Sequence, residues 1–285
     1  MNWKSVVWIF AGVLIWVLVV GLRFVVPAEV SNTTRSGTYV GSQVWSGQIL
    51  VTGDTLILGK LIVLPGTIVR FAVQDDTRGG DETPPDGYND RDPTRLLLYA
   101  QTHSELDVLG TLTAVGTREK NIVFTSASST PALADWVGIS PLGDESRIEY
   151  ARIEWSRHGI GLGTKRTPHT IFKNNILTHT LWGPLSLGSS GAQAYDNEIF
   201  DCGHEGIDVQ GGNPIIRGNY VHDCHAGIVV LSGSPRIENN SLVNVGDGIA
   251  IIGGNPFLEH NRITLAAPES RAEWRYQDFA YSMYG

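Results

Sequence analysis

Apolar and polar residues alternate over short runs through the body of this chain, the period of a half-buried strand. Ile49-Leu50-Val51, Leu56-Ile57-Leu58, Leu61-Ile62-Val63 and Ile68-Val69-Arg70-Phe71 follow in close order. Leu96 to Tyr99, Leu106 to Ala114, Ile122 to Thr125 and Trp136 to Ile139 continue the series. In the C-terminal half the runs become copies. Pro214-Ile215-Ile216-Arg217-Gly218-Asn219-Tyr220-Val221 is echoed by Pro235 to Leu242 and again by Pro256 to Ile263. Looser copies end in Asn197-Glu198-Ile199 and Asn175-Ile176-Leu177, so that Asn175, Asn197, Asn219, Asn240 and Asn261 recur every 21 or 22 residues. Between them falls a second mark: Gly159-Ile160, Gly206-Ile207, Gly227-Ile228 and Gly248-Ile249, with Gly183-Pro184 in the remaining slot.

Each unit therefore reads as short strand, Asn, short strand, turn, Gly-Ile strand, turn. Such a unit cannot bury a core alone. Stacked on copies of itself it makes a solenoid around a column of Ile, Val and Leu, and Ile207, Ile228 and Ile249 are expected to stack and be buried. At the strand spacing of about 4.8 Å, the body holds about nine or ten coils. Stacked asparagines at a turn bond to neighbouring backbone, which accounts for the Asn ladder.

Several segments resemble the first coils of right-handed parallel β-helix proteins, namely Pro65-Gly66-Thr67, Gly110 to Ala114, Ile122 to Ser126 and Asp135 to Ile139. The Asn-x-Ile and Gly-Ile copies resemble the later repeats of that family, as in the pectin-lyase-like group. The resemblance covers about Tyr39 to Leu265. It implies an all-β fold, a right-handed parallel β-helix; it does not imply one activity, since such helices host lyases, epimerases, hydrolases, binding modules and scaffolds.

Composition narrows the rest. Charged residues make up 18% of the chain and the net charge is −8, which argues against a nucleic-acid partner, because phosphate demands positive contacts. Two cysteines exclude a disulfide-stapled miniprotein and a Cys-rich metal protein. Val6 to Leu22 is an uncharged run of 17 residues, and with Arg23 snorkelling the stretch reaches Val26. It reads as one N-terminal transmembrane helix, an uncleaved anchor in preference to a cleaved secretory signal. Lys4 before the span favours a cytoplasmic N-terminus and an extracytoplasmic body, periplasmic or extracellular. The organisation expected is an anchor over 1–26, a linker over 27–38, the solenoid over 39–265 with an acidic loop insert at 74–95, and an aromatic tail or cap over 266–285.

The repeat register gives the outward rows. After the ladder asparagines come Ile176, Glu198, Tyr220, Ser241 and Arg262. After Gly-Ile come Gly161, Asp208, Val229 and Ala250, and before the Asn lie Lys173, Tyr195, Arg217, Glu238 and Glu259. No row stacks two or three Asp as a polygalacturonase-like hydrolase requires, so no catalytic residue is assigned. The richest polar cluster is one turn in which Asp201, His204 and Glu205 stack on Asp223 and His225. Two readings stand there, a transition-metal or acid–base site and a solvated turn forming one surface patch. Cys202 and Cys224 share a slot within disulfide reach; bridged and free forms both remain open. In the insert, Asp86, Asn89, Asp90 and Asp92 are the candidate calcium ligands, the other reading being an exposed acidic loop without a cofactor. Trp8 and Trp16 in the span, with Trp274, Tyr276, Phe279, Tyr281 and Tyr284 in the tail, are candidate partner contacts.

These features point to a membrane-anchored, non-catalytic structural or interaction module, an accessory subunit bound to an integral membrane protein partner. The resemblance permits a different class as the alternative, a polysaccharide-binding or polysaccharide-degrading protein of the cell envelope.

Overall fold

The alternation becomes strands that pair in one direction only. A computed structural model describes residues 32–73, 102–163 and 169–267. Among them lie 24 strands in two sheets, one of fifteen and one of nine strands, and every ladder between them is parallel. The nine-stranded sheet takes one strand from each coil, which sets the coil number at nine. The long strands Gln48–Ile57, Glu198–Val209 and Tyr220–Val230 turn a corner within the larger sheet, so each coil shows three faces. In one coil, Gln193–Tyr195 lies on the third face and Glu198 onward on the first; Ile207 to Val209 lie on the second.

Register follows the sequence repeat. Val69, Phe124, Ile153, Leu177, Ile199, Val221 and Leu242 form one inward row, all buried. Ile139, Ile160, Leu185, Ile207, Ile228 and Ile249 form another. Ile207 and Ile228 are buried as expected, whereas Ile249 is only partly so, because it belongs to the last coils and has fewer neighbours above it. Burying such side chains is worth roughly 1.5–3 kcal/mol each and is the main force holding coil on coil. The glycine of the Gly-Ile mark stands where the second face begins against this column. A Cβ on Gly227 would lie 2.6 Å from the Gly248 carbonyl oxygen and 2.9 Å from Leu242 Cδ1.

The Asn ladder closes the corner between third and first faces. Asn175, Asn197, Asn219 and Asn240 each donate from Nδ2 to Oδ1 of the next asparagine, at 2.8–3.0 Å. Each also donates to the carbonyl of an inward residue one coil back, such as Ala194 for Asn219 at 3.0 Å. Residues in the left-handed region precede the ladder at Asn174, Asp196, Gly218, Asn239 and His260, a conformation that Asn, Asp, His and Gly tolerate best.

Some expectations change. The linker placed over 27–38 gives way at Asn32 to a strand, Asn32–Tyr39, which pairs with Gln48–Ile57 and covers the N-terminal end. Its Thr33, Arg35 and Tyr39 sit opposite Ile49, Val51 and Ile57. A polar Ser/Thr stretch reads as linker by composition, but sheet pairing needs only backbone. The run Leu106–Ala114 splits into Leu106–Val108 and Leu112–Val115, on two faces, and the strand expected over Trp136–Ile139 begins only at Ile139. The anchor, the calcium candidates Asp86, Asn89, Asp90 and Asp92, and the contacts Trp8, Trp16, Trp274, Tyr276, Phe279, Tyr281 and Tyr284 lie outside the described residues. No helix among the described residues is long and apolar enough to cross a membrane.

Candidate functional site

The corner between the first and second faces concentrates the exceptions to the repeat. Between Ser126 and Ile139 the chain runs there without a named strand. On that corner Trp155, His179, Asp201, Asp223 and Asn244 all take positive φ, between 52° and 65°. The last four lie four residues after Asn175, Asn197, Asn219 and Asn240, so the same repeat that places the ladder places this row.

On the first face the row Thr178, Phe200, His222 and Val243 runs beside it in register. The result is a band of stacked rings. Trp155 packs on His179 with centroids 4.2 Å apart, and His179 meets the edge of Phe200 at 6.4 Å. Phe200 lies nearly parallel to His222 at 4.8 Å, and Tyr220 covers His222 at 4.4 Å. Trp155 with His179, and Phe200 with His222, occupy equivalent positions of neighbouring coils, so these rings stack at about the strand spacing. Carboxylates border the band and are held within it. His179 Nε2 contacts Asp201 Oδ2 at 3.1 Å, and His222 Nδ1 contacts Asp223 Oδ2 at 2.6 Å. Asn244 donates to the other oxygen of Asp223. Glu198 lies 3.7 Å from His222 Nε2 and also lines an open groove of about 330 Å³ along the Asn corner, with Arg118, Asn121, Tyr150, Asn174 and Asp196.

A second cluster sits where the strand Glu198–Val209 crosses to the second face. Arg157 lies over the Trp182 ring at 5.0 Å, Trp182 stacks on His204 at 6.1 Å, and His204 stacks on His225 at 6.2 Å. The Glu205 carboxylate lies against His204 Nδ1. His204 is 9% exposed, so this is not the solvated turn that the sequence suggests. Burial, with the neighbouring His225, pushes its pKa down to about 4. Burial and the adjacent Arg157 guanidinium likewise hold His158 near 3. Both imidazoles are therefore neutral at pH 7.

The five polar residues grouped by sequence thus divide. Asp201 and Asp223 belong to the exposed corner row; His204, Glu205 and His225 belong to the ring column. The two groups lie on either side of a register shift between Cys202 and Glu205, where the strand passes from the first face to the second. No group of three or more His, Cys, Asp or Glu among the described residues is placed to hold a metal ion. Cys202 and Cys224, left open by sequence, form a disulfide across adjacent coils with Cα atoms 4.8 Å apart.

The remaining outward rows carry structural polar groups. Glu238 accepts from both Arg217 and Arg236, and these bonds hold its carboxyl below the usual range. Asp208 accepts from Ser186 Oγ at 2.8 Å and Gln210 Nε2 at 3.2 Å, while burial raises its pKa. Sequence reading missed Trp155, His179, Phe200 and Trp182. The signal for His179 was present: it occupies the Asp201 and Asp223 slot.

A family model described as right handed beta helix region matches residues 122–265. No curated protein and no solved structure matches the chain.

Proposed function

The chain belongs to the right-handed β-helix family, and on that premise we propose that it is a non-catalytic interaction module whose recognition surface is the ring-bearing corner. The observation that carries the reading is the band Trp155, His179, Phe200, His222 and Tyr220. Its carboxylates are each engaged by an imidazole or amide of the same face. A surface of rigid, partly exposed rings bordered by polar groups is suited to contact, since aromatic side chains supply large area at low entropic cost. The N-terminal segment, residues 1–26, tethers the module to a membrane as a single-pass anchor, with the solenoid outside the cytoplasm beside an integral membrane partner. The Cys202–Cys224 disulfide supports that placement, because such bonds persist in oxidising compartments.

The second reading, a pectin-lyase-like polysaccharide-binding protein, is favoured by one further observation. Glu198 joins the ring band to the groove holding Arg118, Asn121, Asn174 and Asp196. An extended sugar chain could lay its C–H faces on the rings and its hydroxyls on those polar groups.

Native mass analysis after mild detergent extraction tests the first reading, and retention on polysaccharide columns tests the second. Wild type and the Phe200→Ala/His222→Ala variant are compared, with circular dichroism confirming that both fold. Loss of co-purifying membrane subunits in the variant supports the first reading; at least ten-fold loss of retention supports the second. Unchanged behaviour in both assays overturns the assignment of this corner as the recognition surface.

A further inference from the structure

The two ends of the solenoid are finished differently. At the N-terminal end the strand Asn32–Tyr39 lies over Gln48–Ile57, and Ile49, Val51 and Ile57 beneath it are buried. At the C-terminal end the inward rows simply stop. Val230, Ile237, Leu242 and Val245 are each 0% exposed, yet their partners one coil on, Ile251, Leu258, Ile263 and Leu265, are 46, 44, 44 and 54% exposed. These are core positions without a core above them. The backbone is open as well: Phe257–Glu259 and Arg262–Leu265 end their paths through the two sheets, so among the described residues each pairs on one side only. An apolar end with an unpaired strand edge invites a further layer.

We propose that residues 268–285 form that layer and cap the solenoid by docking on Ile251, Leu258, Ile263 and Leu265. Three observations select this occupant over a second copy of the chain. The segment starts three residues after Leu265, so its local concentration at the end face far exceeds that of any free partner. Its 18 residues approach the length of one 21-residue repeat, and eight residues suffice for the covering strand at the other end. Its Trp274, Tyr276, Phe279, Tyr281 and Tyr284 match an apolar face in chemistry, whereas the opposite end presents Thr33 and Arg35 and offers a stacked copy little to bury. The proposal is independent of the function assigned to the ring-bearing corner.

Hydrogen exchange read by mass spectrometry on the full chain in detergent tests it. Amides in 270–284 should exchange at least ten-fold more slowly than an unstructured peptide of the same sequence, and Trp274→Ala/Phe279→Ala should abolish that protection. The same variant should speed exchange in peptides spanning 249–265 and leave those spanning 106–163 unchanged. Deleting 268–285 should lower Tm by roughly 5–10 °C; if the deletion fails to fold, the point variant alone decides. A tail that exchanges at the free-peptide rate overturns the proposal. So does protection of 249–265 that survives the point variant, or a dimer in which the tail stays unprotected.

Discussion

Replacing Asn219 by alanine removes the middle rung of the ladder and strands groups that bond to it. Asn219 Oδ1 accepts from the Asn197 amide at 3.0 Å and from Asn197 Nδ2 at 2.8 Å; its Nδ2 donates to the Ala194 carbonyl at 3.0 Å and to Asn240 Oδ1 at 2.9 Å. Asn197, Asn219 and Asn240 are all buried, so water cannot replace what is lost. Asn240 Oδ1 keeps the Asn219 backbone amide as a partner, which confines the damage to two donors on Asn197 and one carbonyl. At about 1–3 kcal/mol for each stranded group, the expected cost is about 4 kcal/mol, a fall in Tm of roughly 8–16 °C. Asn261→Ala is the internal control. Asn261 serves Asn240 and the Ile237 carbonyl in the same way, but it lies in the terminal coil and is only half-buried. There solvent can substitute, and about 1 kcal/mol is expected. Guanidinium and thermal unfolding followed by circular dichroism compare the two variants with wild type. Equal losses at the two positions, or a loss below about 1 kcal/mol at Asn219, would refute the view that buried amide stacking rather than aliphatic packing holds this corner.

Other consequences follow from the same geometry. Changing both Cys202 and Cys224 to Ser opens a link between residues 22 apart in sequence and should cost about 3 kcal/mol, while a reductant should reproduce the loss in wild type but not in the variant. Gly227→Ala forces a methyl against the Gly248 carbonyl and Leu242, and an overpacking loss of about 1–3 kcal/mol is expected in denaturant titrations; a neutral outcome contradicts the close approach. His158 and His204 fold with pKa values of about 3 and 4, below the unfolded 6.5, so the unfolded chain binds more protons in acid. Their contribution is complete above about pH 6.5 and is lost as pH falls toward 4. His204→Gln should flatten the dependence of unfolding free energy on pH in that window, and an unchanged slope would show that Glu205 offsets the burial.

The repeat was legible because a solenoid writes its geometry into the chain. One residue type per slot, every 21 or 22 positions, is what stacking requires, so Asn175 to Asn261 and the Gly-Ile marks disclosed the coils before any coordinate. The inward rows followed from alternation alone. What the sequence could not settle depends on where the period breaks. A register shift between Cys202 and Glu205, where the strand passes from one face to the next, separates Asp201 from His204 and Glu205 although they are near neighbours in the chain. The pairing of the two cysteines was likewise a matter of side-chain direction at a corner, which a slot count does not carry. Ring contacts among Trp155, His179, Phe200, Tyr220 and His222 cross slots and strands, so no single periodic row contains them all. That Ile251, Leu258, Ile263 and Leu265 have no described coil above them is a property of their position, not of the residues, which match their buried predecessors in kind. Sequence determined the layer because every layer obeys the same local rule; only the tertiary structure decided the corners and the ends, where the neighbours that satisfy the rule change or run out.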